Sequence, residues 1–363
     1  MTASGSSPLT ATQLVAAART EFDADVTYLD SATMGLPPRR SWHALQDALR
    51  DWRAGTALAR DYDLPLARTR QSYARMVGVE ATTVAVGSQV SVFAGLVAAS
   101  LPDDAEVLTA SGDFTSILFP FHAQAARGVT VREVPLDRIP DAVTGRTTLV
   151  SVSAVQSADG RVADLEGLHA ACADTGTRIL LDVTQAAGWL PIDAGYFDYT
   201  VCAGYKWLLA PRGTAFLTVR PGLLDELVPH AAGWYAGSDP WASIYGGPLR
   251  LAPDARRFDL SPAWHSWIAA APALDLLVGL GTATLNDHAV GLANRFRAGI
   301  GWGAGDSAIV SVAVDDGAAE HMRAAQIMAA SRAGRLRLSF HVSTSEQDVD
   351  RAVEVLGNHV VPR

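Results

Sequence analysis

Short apolar runs recur between residues 82 and 220, separated by amphipathic stretches. Residues 82–87 read as a strand, and a helix follows through Leu101. Residues 106–110 form a second β-branched run, and 114–127 has the pattern of a helix. Runs at 129–134 and 147–155 are again strand-like, and a helix near 165–173 leads into a strand at 178–182. Strands separated by helices of this kind imply right-handed βαβ units and a mostly parallel sheet, hence the α/β class. Two runs break the alternation. Residues 199–203 and 214–220 are joined by a short link containing Gly and Pro, so they predict an antiparallel hairpin on the same sheet.

After Pro221 the pattern turns irregular, with Gly233, Gly237, Pro240, Gly246, Gly247 and Pro248 marking loops. A long helix is predicted at 263–279. Beyond it the periodicity reads strand 308–314, helix 317–330, strand 335–341 and helix 346–358. Ser343-Thr344-Ser345-Glu346 has the Ser-x-x-Glu spacing of a capping box opening that last helix. This α+β arrangement suits a second, smaller domain.

The length of 363 residues agrees with one large and one small domain, at ~150 residues per domain. With 49% apolar residues the chain can build cores without disulfide or metal staples. Cys172 and Cys202 form no CxxC pair, which points to a reducing, cytoplasmic setting. A net charge of −9 argues against nucleic acid or an anionic membrane as partner. The first fifteen residues carry no basic residue and no signal-like apolar run. The longest apolar stretch, 267–280, is interrupted by Pro272 and Asp275, too soon for a membrane span. No GxxxxGK[ST], HExxH or GxSxG motif occurs. The glycine-rich 301–305 follows a helix where a phosphate-binding turn would follow a strand, and the nine histidines show no metal-ligand spacing.

One count changes the picture. Of 29 basic residues, 28 are arginine and one is Lys206. Arginine replaces lysine readily on a solvated surface, but it cannot deprotonate to a nucleophilic amine. The bland alternative is a leftover surface lysine. Asp182 ends the run Ile179-Leu180-Leu181, at the carboxyl edge where ligands of open α/β sheets bind. Lys206 ends the next run. The pair reads either as an acid and an amine at one sheet edge or as an ordinary buried salt bridge. Gly87-Ser88-Gln89 lies between a strand and its helix, as a phosphate site or a simple N-cap. Phe114 is either a core aromatic or a lid over a planar ring.

These residues fall into runs that resemble a known family. Leu181-Asp182-Val183-Thr184-Gln185, Ala203-Gly204-Tyr205-Lys206-Trp207 and Pro211-Arg212-Gly213 resemble the fold-type I pyridoxal-phosphate enzymes of the class V aminotransferase group. That group includes cysteine desulfurases, kynureninase and isopenicillin N epimerase. Tyr28-Leu29-Asp30-Ser31-Ala32, Arg337-Leu338-Ser339-Phe340-His341 and Asp348-Val349-Asp350 are similar to its N-terminal and C-terminal motifs. The resemblance implies an N-terminal segment (1–40) packing at the active site, a large cofactor-binding domain (41–262) and a small C-terminal domain (263–363). It implies that Lys206 carries pyridoxal 5′-phosphate as a Schiff base and shuttles the proton at the substrate Cα. Asp182 would pair with the pyridine nitrogen, Gln185 would bond the ring's phenolic oxygen, Ser88 and Gln89 would hold the phosphate, and Phe114 would stack on the ring. Tyr205 would also reach the phosphate. Trp234 and Ser261 would face the cofactor of a neighbouring subunit in a homodimer. Ser31 and Arg337 would contact the substrate, Arg337 clamping its α-carboxylate. An interdomain salt bridge is the alternative for Arg337, and Arg335 the competing clamp.

Departures from the family pattern narrow the chemistry. No cysteine follows Cys202, so the mobile thiol of a desulfurase has no counterpart. Ala203 stands where the family has serine, Ser261-Pro262 stands for Gly-Thr, and the tyrosine expected after the Arg337 motif is missing. The expectation is a cytoplasmic, dimeric enzyme acting on an L-amino acid by C–S β-elimination of a cysteine S-conjugate. Such chemistry belongs to secondary metabolism and to the actinobacterial tailoring enzymes of the lincosamide type. Decarboxylation-coupled oxidative deamination and transamination are the alternative reactions. A non-enzymatic scaffold would be marked by loss of Lys206 or Asp182, and both are present.

Overall fold

The computed structural model describes residues 9–361. The chain opens with helix α1 (Ala11–Arg19), the two-residue strand β1 (Thr27–Tyr28) and helices α2 (Arg39–Ala54) and α3 (Asp63–Met76). Seven strands follow: β2 (Val84–Gly87), β3 (Glu106–Ala110), β4 (Thr130–Val134), β5 (Thr147–Ser153), β6 (Arg178–Asp182), β7 (Tyr199–Ala203) and β8 (Ala215–Val219). They form one sheet in the order β2-β8-β7-β6-β5-β3-β4. Strand β8 runs antiparallel to both β7 and β2, and the remaining neighbours are parallel. The expected hairpin is therefore present, with Ala203 opposite Ala215.

Both faces of this sheet are buried, which is why its strands read as continuous apolar runs. Val86, Leu181 and Cys202 join one core; Ala85, Leu180 and Val201, one residue away along each strand, join the other. The helices between strands include α4 (Val90–Ser100) and α7 (Leu165–Thr175). The predicted helix at 114–127 is a correction: it is broken into a turn at Thr115–Ile117, a short helix α5 at Phe119–His122 and a turn at Ala125–Arg127. Pro120 lacks the N–H that would continue a helix from residue 116, and it sits instead in the first turn of α5, where that N–H has no helical partner.

After a further short helix, α6 (Ile139–Ala142), and the strands and helix already given, the chain reaches α8 (Trp264–Leu280), which packs on α2 and α3. Its Trp267, Leu274 and Leu277 share a core with the large sheet. Helix α9 (Thr282–Gly299) turns by 85° from α8, and no single helix of the described residues is long and apolar enough to cross a membrane. The smaller unit contains β9 (Ile309–Val312), α10 (Ala318–Ala324), β10 (Ile327–Met328), β11 (Ala330–Arg332), β12 (Arg335–Ser339) and α11 (Glu346–Leu356). Its sheet has the order β11-β12-β9, over a core that includes Leu292, Phe296, Val310, Phe340 and Val349.

Two expectations in this unit are corrected. The helix predicted at 317–330 ends at Ala324, because β10 is claimed by parallel pairing with β1 and β11 by pairing with β12. The capping box of α11 uses Ser345 and Asp348, not Ser343 and Glu346; the Ser345 side chain accepts from the Asp348 N–H. Strand β1 thus starts a segment that ties the small unit to the large one. Leu29 lies in the small core, and its carbonyl accepts from the Ser339 N–H at 2.8 Å. A second tie fixes the segment before α8. Buried Asp259 accepts from Arg70 Nη2 at 2.6 Å and from the Val86 N–H at 2.9 Å, holding residues 255–260 beside β2.

Candidate active site

The carboxyl ends of β2, β6 and β7 and the amino end of β8 meet at one edge of the sheet, as the register pairs Gly87 and Ala203 with Ala215. A pocket opens there. Ser88, Gln89, Phe114, Asp182, Gln185, Tyr205 and Lys206, each expected from the sequence, line it together.

Lys206 follows β7 and is 5% exposed, while Asp182 ends β6 and is 4% exposed. Burial disfavours the charged form of each. It draws the Lys206 amine down from its ordinary value to about 8, a fall that the Asp182 carboxylate partly offsets. It pushes Asp182 up to about 6, against hydrogen bonds from Thr184 and the Lys206 charge that favour the carboxylate. The Thr184 N–H donates to Asp182 Oδ1 at 2.8 Å, and the Thr184 hydroxyl oxygen accepts from the Ala203 N–H at 2.9 Å. Thr184 therefore locks the ends of β6 and β7 together. The Phe114 ring is 44% exposed and lies 5.2 Å from Lys206 Nζ. Its backbone is anchored by buried Asp113, which accepts from the N–H groups of Phe114 and Ser153 at 2.7 and 2.8 Å.

The loop after Lys206 is closed from below by the N-terminal segment. The Gly35 N–H donates to the Tyr205 carbonyl at 2.9 Å, and a Cβ on Gly35 would fall 2.1 Å from the Lys206 carbonyl oxygen. Only glycine allows that approach. Buried His341 adds a contact at 2.8 Å to the Trp207 carbonyl.

Gln185 lines the pocket with its amide already engaged. Its Nε2 donates to the Ala32 carbonyl at 2.9 Å and the Ser157 hydroxyl at 3.1 Å, and its Oε1 accepts from Trp207 Nε1 at 2.8 Å. Ser157 Oγ also accepts from Arg337 Nη1 at 3.2 Å, and Ser157 lines the pocket. Arg337 itself is 1% exposed and sits behind Ser157, outside the lining. It donates to the Ser157 carbonyl at 2.6 Å and to Thr33 Oγ1 at 2.7 Å, and lies 3.5 Å from Asp30 Oδ1. Arg335 points elsewhere, to Ser311. Ser31 is buried beside this cluster and does not line the pocket. Trp234 packs against Tyr235 and Trp241, and Ser261 is exposed in the loop before α8; within this chain neither reaches the pocket.

Sequence reasoning assigned no role to Ser91, Ser116, Ser153, Ser157, Thr184 or Arg212, all of which line the pocket. Thr184 and Arg212 stand inside motifs that were legible. Ser157 carried no signal, because it lies in a loop whose place is set by Gln185 and Arg337.

The model of the family described as aminotransferase class-V matches residues 27–302. The chain belongs to the class V aminotransferase family. It is 31% identical to the uncharacterized aminotransferase YcbU of Bacillus subtilis over 60% of each chain. It is 29% identical to kynureninase of Deinococcus radiodurans over 77% of this chain and 72% of that one. With isopenicillin N epimerase of Streptomyces clavuligerus the identity is 30%, over 64% of this chain and 65% of the relative. The chain thus spans less than two thirds of the length of two of these three relatives. Among solved structures, a lysine-to-alanine mutant of C-DES with glycine linked to its PLP cofactor superposes with a TM-score of 0.84, at 22% identity over 94% of this chain and 99% of that one. A cysteine desulfurase of Thermococcus onnurineus superposes at 0.82, with 19% identity over 94% and 97%.

The cofactor of this class V enzyme is pyridoxal 5′-phosphate, and the pocket fits it. Lys206 offers a buried amine whose pKa, drawn down to about 8, gives a neutral fraction that grows to half as pH approaches that value, as capture of an aldehyde requires. Asp182 is a carboxyl that burial pushes up to about 6, and a protonated ring nitrogen beside it would favour its charged form. Ser88 and Gln89 lead into α4, whose N-cap Gln89 makes no side-chain capping bond; the Val92 N–H donates to the Gln89 carbonyl, and those of Val90 and Ser91 stay open to an anion.

Proposed function

We propose that this class V enzyme acts on an L-amino acid and cleaves the C–S bond of a cysteine S-conjugate by β-elimination, giving a thiol, pyruvate and ammonia with uptake of one water. The bound cofactor supplies the electron sink for charge developing at Cα. Lys206 Nζ, with its amine drawn down to about 8, takes the Cα proton and is placed to return it to a departing group. Asp182 holds the proton on the ring nitrogen. The reading rests most on what the pocket lacks among its lining side chains: a thiol. Cys172 and Cys202 are both buried away from it, and burial pushes both thiols up, Cys172 to about 12. With no sulfur acceptor on the chain, the substrate sulfur leaves with its own substituent.

Arg337 belongs to this reading as the α-carboxylate clamp. Its Nε has no hydrogen-bond partner, and Asp30 Oδ1 beside it is likewise without one. The guanidinium, with its Nη atoms on Ser157 and Thr33 and Asp30 at 3.5 Å, would take a substrate carboxylate into a bidentate set only as Ser157, which screens it from the pocket, moves aside. On that basis, Arg337→Gln lowers kcat/KM for amino acids by ~2–4 kcal/mol and erases the preference over the corresponding decarboxylated amines. Cofactor absorbance stays unchanged. A variant that keeps the wild-type preference, or loses melting temperature alone, assigns Arg337 to the Asp30 salt bridge instead.

We extend the proposal to a homodimer of the lincosamide-tailoring kind. Exposed Trp42, Trp52, Leu58 and Leu64 lie on or beside α2 and α3, and Ile244, Tyr245 and Leu249 are exposed in the loop before α8. Apolar exposure on this scale favours a second copy, toward which Trp234 and Ser261 would turn. The experiment that decides the reaction incubates the purified enzyme with S-alkyl cysteines and with ordinary amino acids and identifies products by mass. Pyruvate and free thiol are the expected result. An aldehyde with carbon dioxide would instead establish oxidative deamination, and a keto acid with aminated cofactor would establish transamination.

A further inference from the structure

Arg212 has no part in the scheme above, yet it lines the same pocket. It stands three residues before Ala215, the residue of β8 that pairs with Gly87 at the end of β2. Ser88 and Gln89 leave β2 at the edge where Arg212, Gly213 and Thr214 enter β8. The antiparallel register therefore sets the guanidinium beside the loop that opens α4. The guanidinium carbon lies 5.0 Å from the Tyr205 ring centroid. Among the described residues it has no carboxylate partner.

The charges lining the pocket are Asp182, Lys206 and Arg212. Lys206 is committed to the cofactor's aldehyde and Asp182 to its ring nitrogen. A phosphate dianion bound at Ser88 and Gln89 is left with neutral donors and one remaining cation. Residue 203, in the lining beside Tyr205, is alanine and offers it no hydroxyl. A guanidinium presents a planar fork of N–H donors that matches phosphate oxygens and makes charge-assisted bonds. We infer that Arg212 holds the phosphate of the cofactor, with Tyr205 supporting its guanidinium as a stacking surface. The inference depends on the family's cofactor and not on C–S cleavage, so a different product mixture would leave it standing.

The test removes the cofactor from the holoenzyme and titrates the apoenzyme with pyridoxal phosphate and with pyridoxal, which lacks the phosphate, following tryptophan fluorescence. Arg212→Gln is expected to weaken pyridoxal phosphate binding ~10- to 100-fold while leaving pyridoxal binding unchanged. Arg212→Lys, which keeps the charge but loses the fork, should recover part of the difference. Inorganic phosphate at millimolar concentration should improve pyridoxal binding to the wild type and fail to do so in Arg212→Gln. Equal weakening of both ligands, or no change in either, overturns the assignment. An unchanged affinity ratio with a raised KM for the amino acid would overturn it in favour of a substrate-side role.

Discussion

Lys206→Ala is expected to give a folded, colourless protein without measurable turnover. The wild type should absorb in the visible through its bound cofactor, and borohydride should then attach that cofactor irreversibly to a single peptide. Lys206 is the chain's one lysine, so peptide mapping leaves no ambiguity. The pocket lining explains the size of the effect. Lys206 Nζ is the buried amine there, and no second lysine exists to replace it. The direction of the pH dependence follows from its lowered pKa. Below about 8 the amine is mostly protonated and not nucleophilic, so the rate of cofactor capture by the apoenzyme should rise with pH and level off above that value. A folded wild type that stays colourless after added pyridoxal phosphate would refute the role of Lys206.

Asp182→Asn should retain the cofactor but cut kcat by ~10² or more, because a neutral amide no longer holds the proton on the ring nitrogen. The same substitution carries a stability signature of opposite sign. The folded-state pKa of Asp182 is raised to about 6 by burial, so the folded apoenzyme binds this proton more tightly than the unfolded chain does. Its ionised carboxylate therefore costs stability above about pH 6, and that cost fades as pH falls through 6 toward the ordinary carboxylate range. Asparagine keeps the acceptor for the Thr184 N–H and carries no charge. At pH 7.5 the Asp182→Asn apoenzyme should melt no lower than wild-type apoenzyme, despite its lost activity. Calorimetry on the two apoenzymes checks this; near-normal turnover in the variant would make Asp182 a structural residue only.

Much of the site was readable along the chain because its acid and its amine each end an apolar run. A strand covered on both faces needs uninterrupted apolar residues, so a polar side chain at its carboxyl end marks where the sheet edge opens. Asp182 and Lys206 met that condition on neighbouring strands, and the turn Gly87-Ser88-Gln89 met it at β2. The antiparallel course of β8 was readable too, since the short link to β7 leaves no length for a crossover helix.

Other features depend on contacts that span the chain. Residues 114–127 lost their helix to a proline that local pattern could have weighed, whereas β10 and β11 lost theirs to partners at Thr27–Tyr28 and Arg335–Ser339. Propensity cannot report such competition, because the winning hydrogen bonds come from other segments. The same holds for the buried cluster of Asp30, Thr33, Ser157 and Arg337, whose members lie up to 307 residues apart and meet only after both units have packed. By itself, then, the sequence determined the layered sheet, its polar edge and the lysine and aspartate set there, since each follows from local burial and strand length. Only the tertiary structure decided that residues 30–35 seal the lysine loop, that Arg337 stands behind Ser157, and that Arg212 lines the pocket with Ser88 and Gln89, because those positions are fixed by long-range packing and strand register.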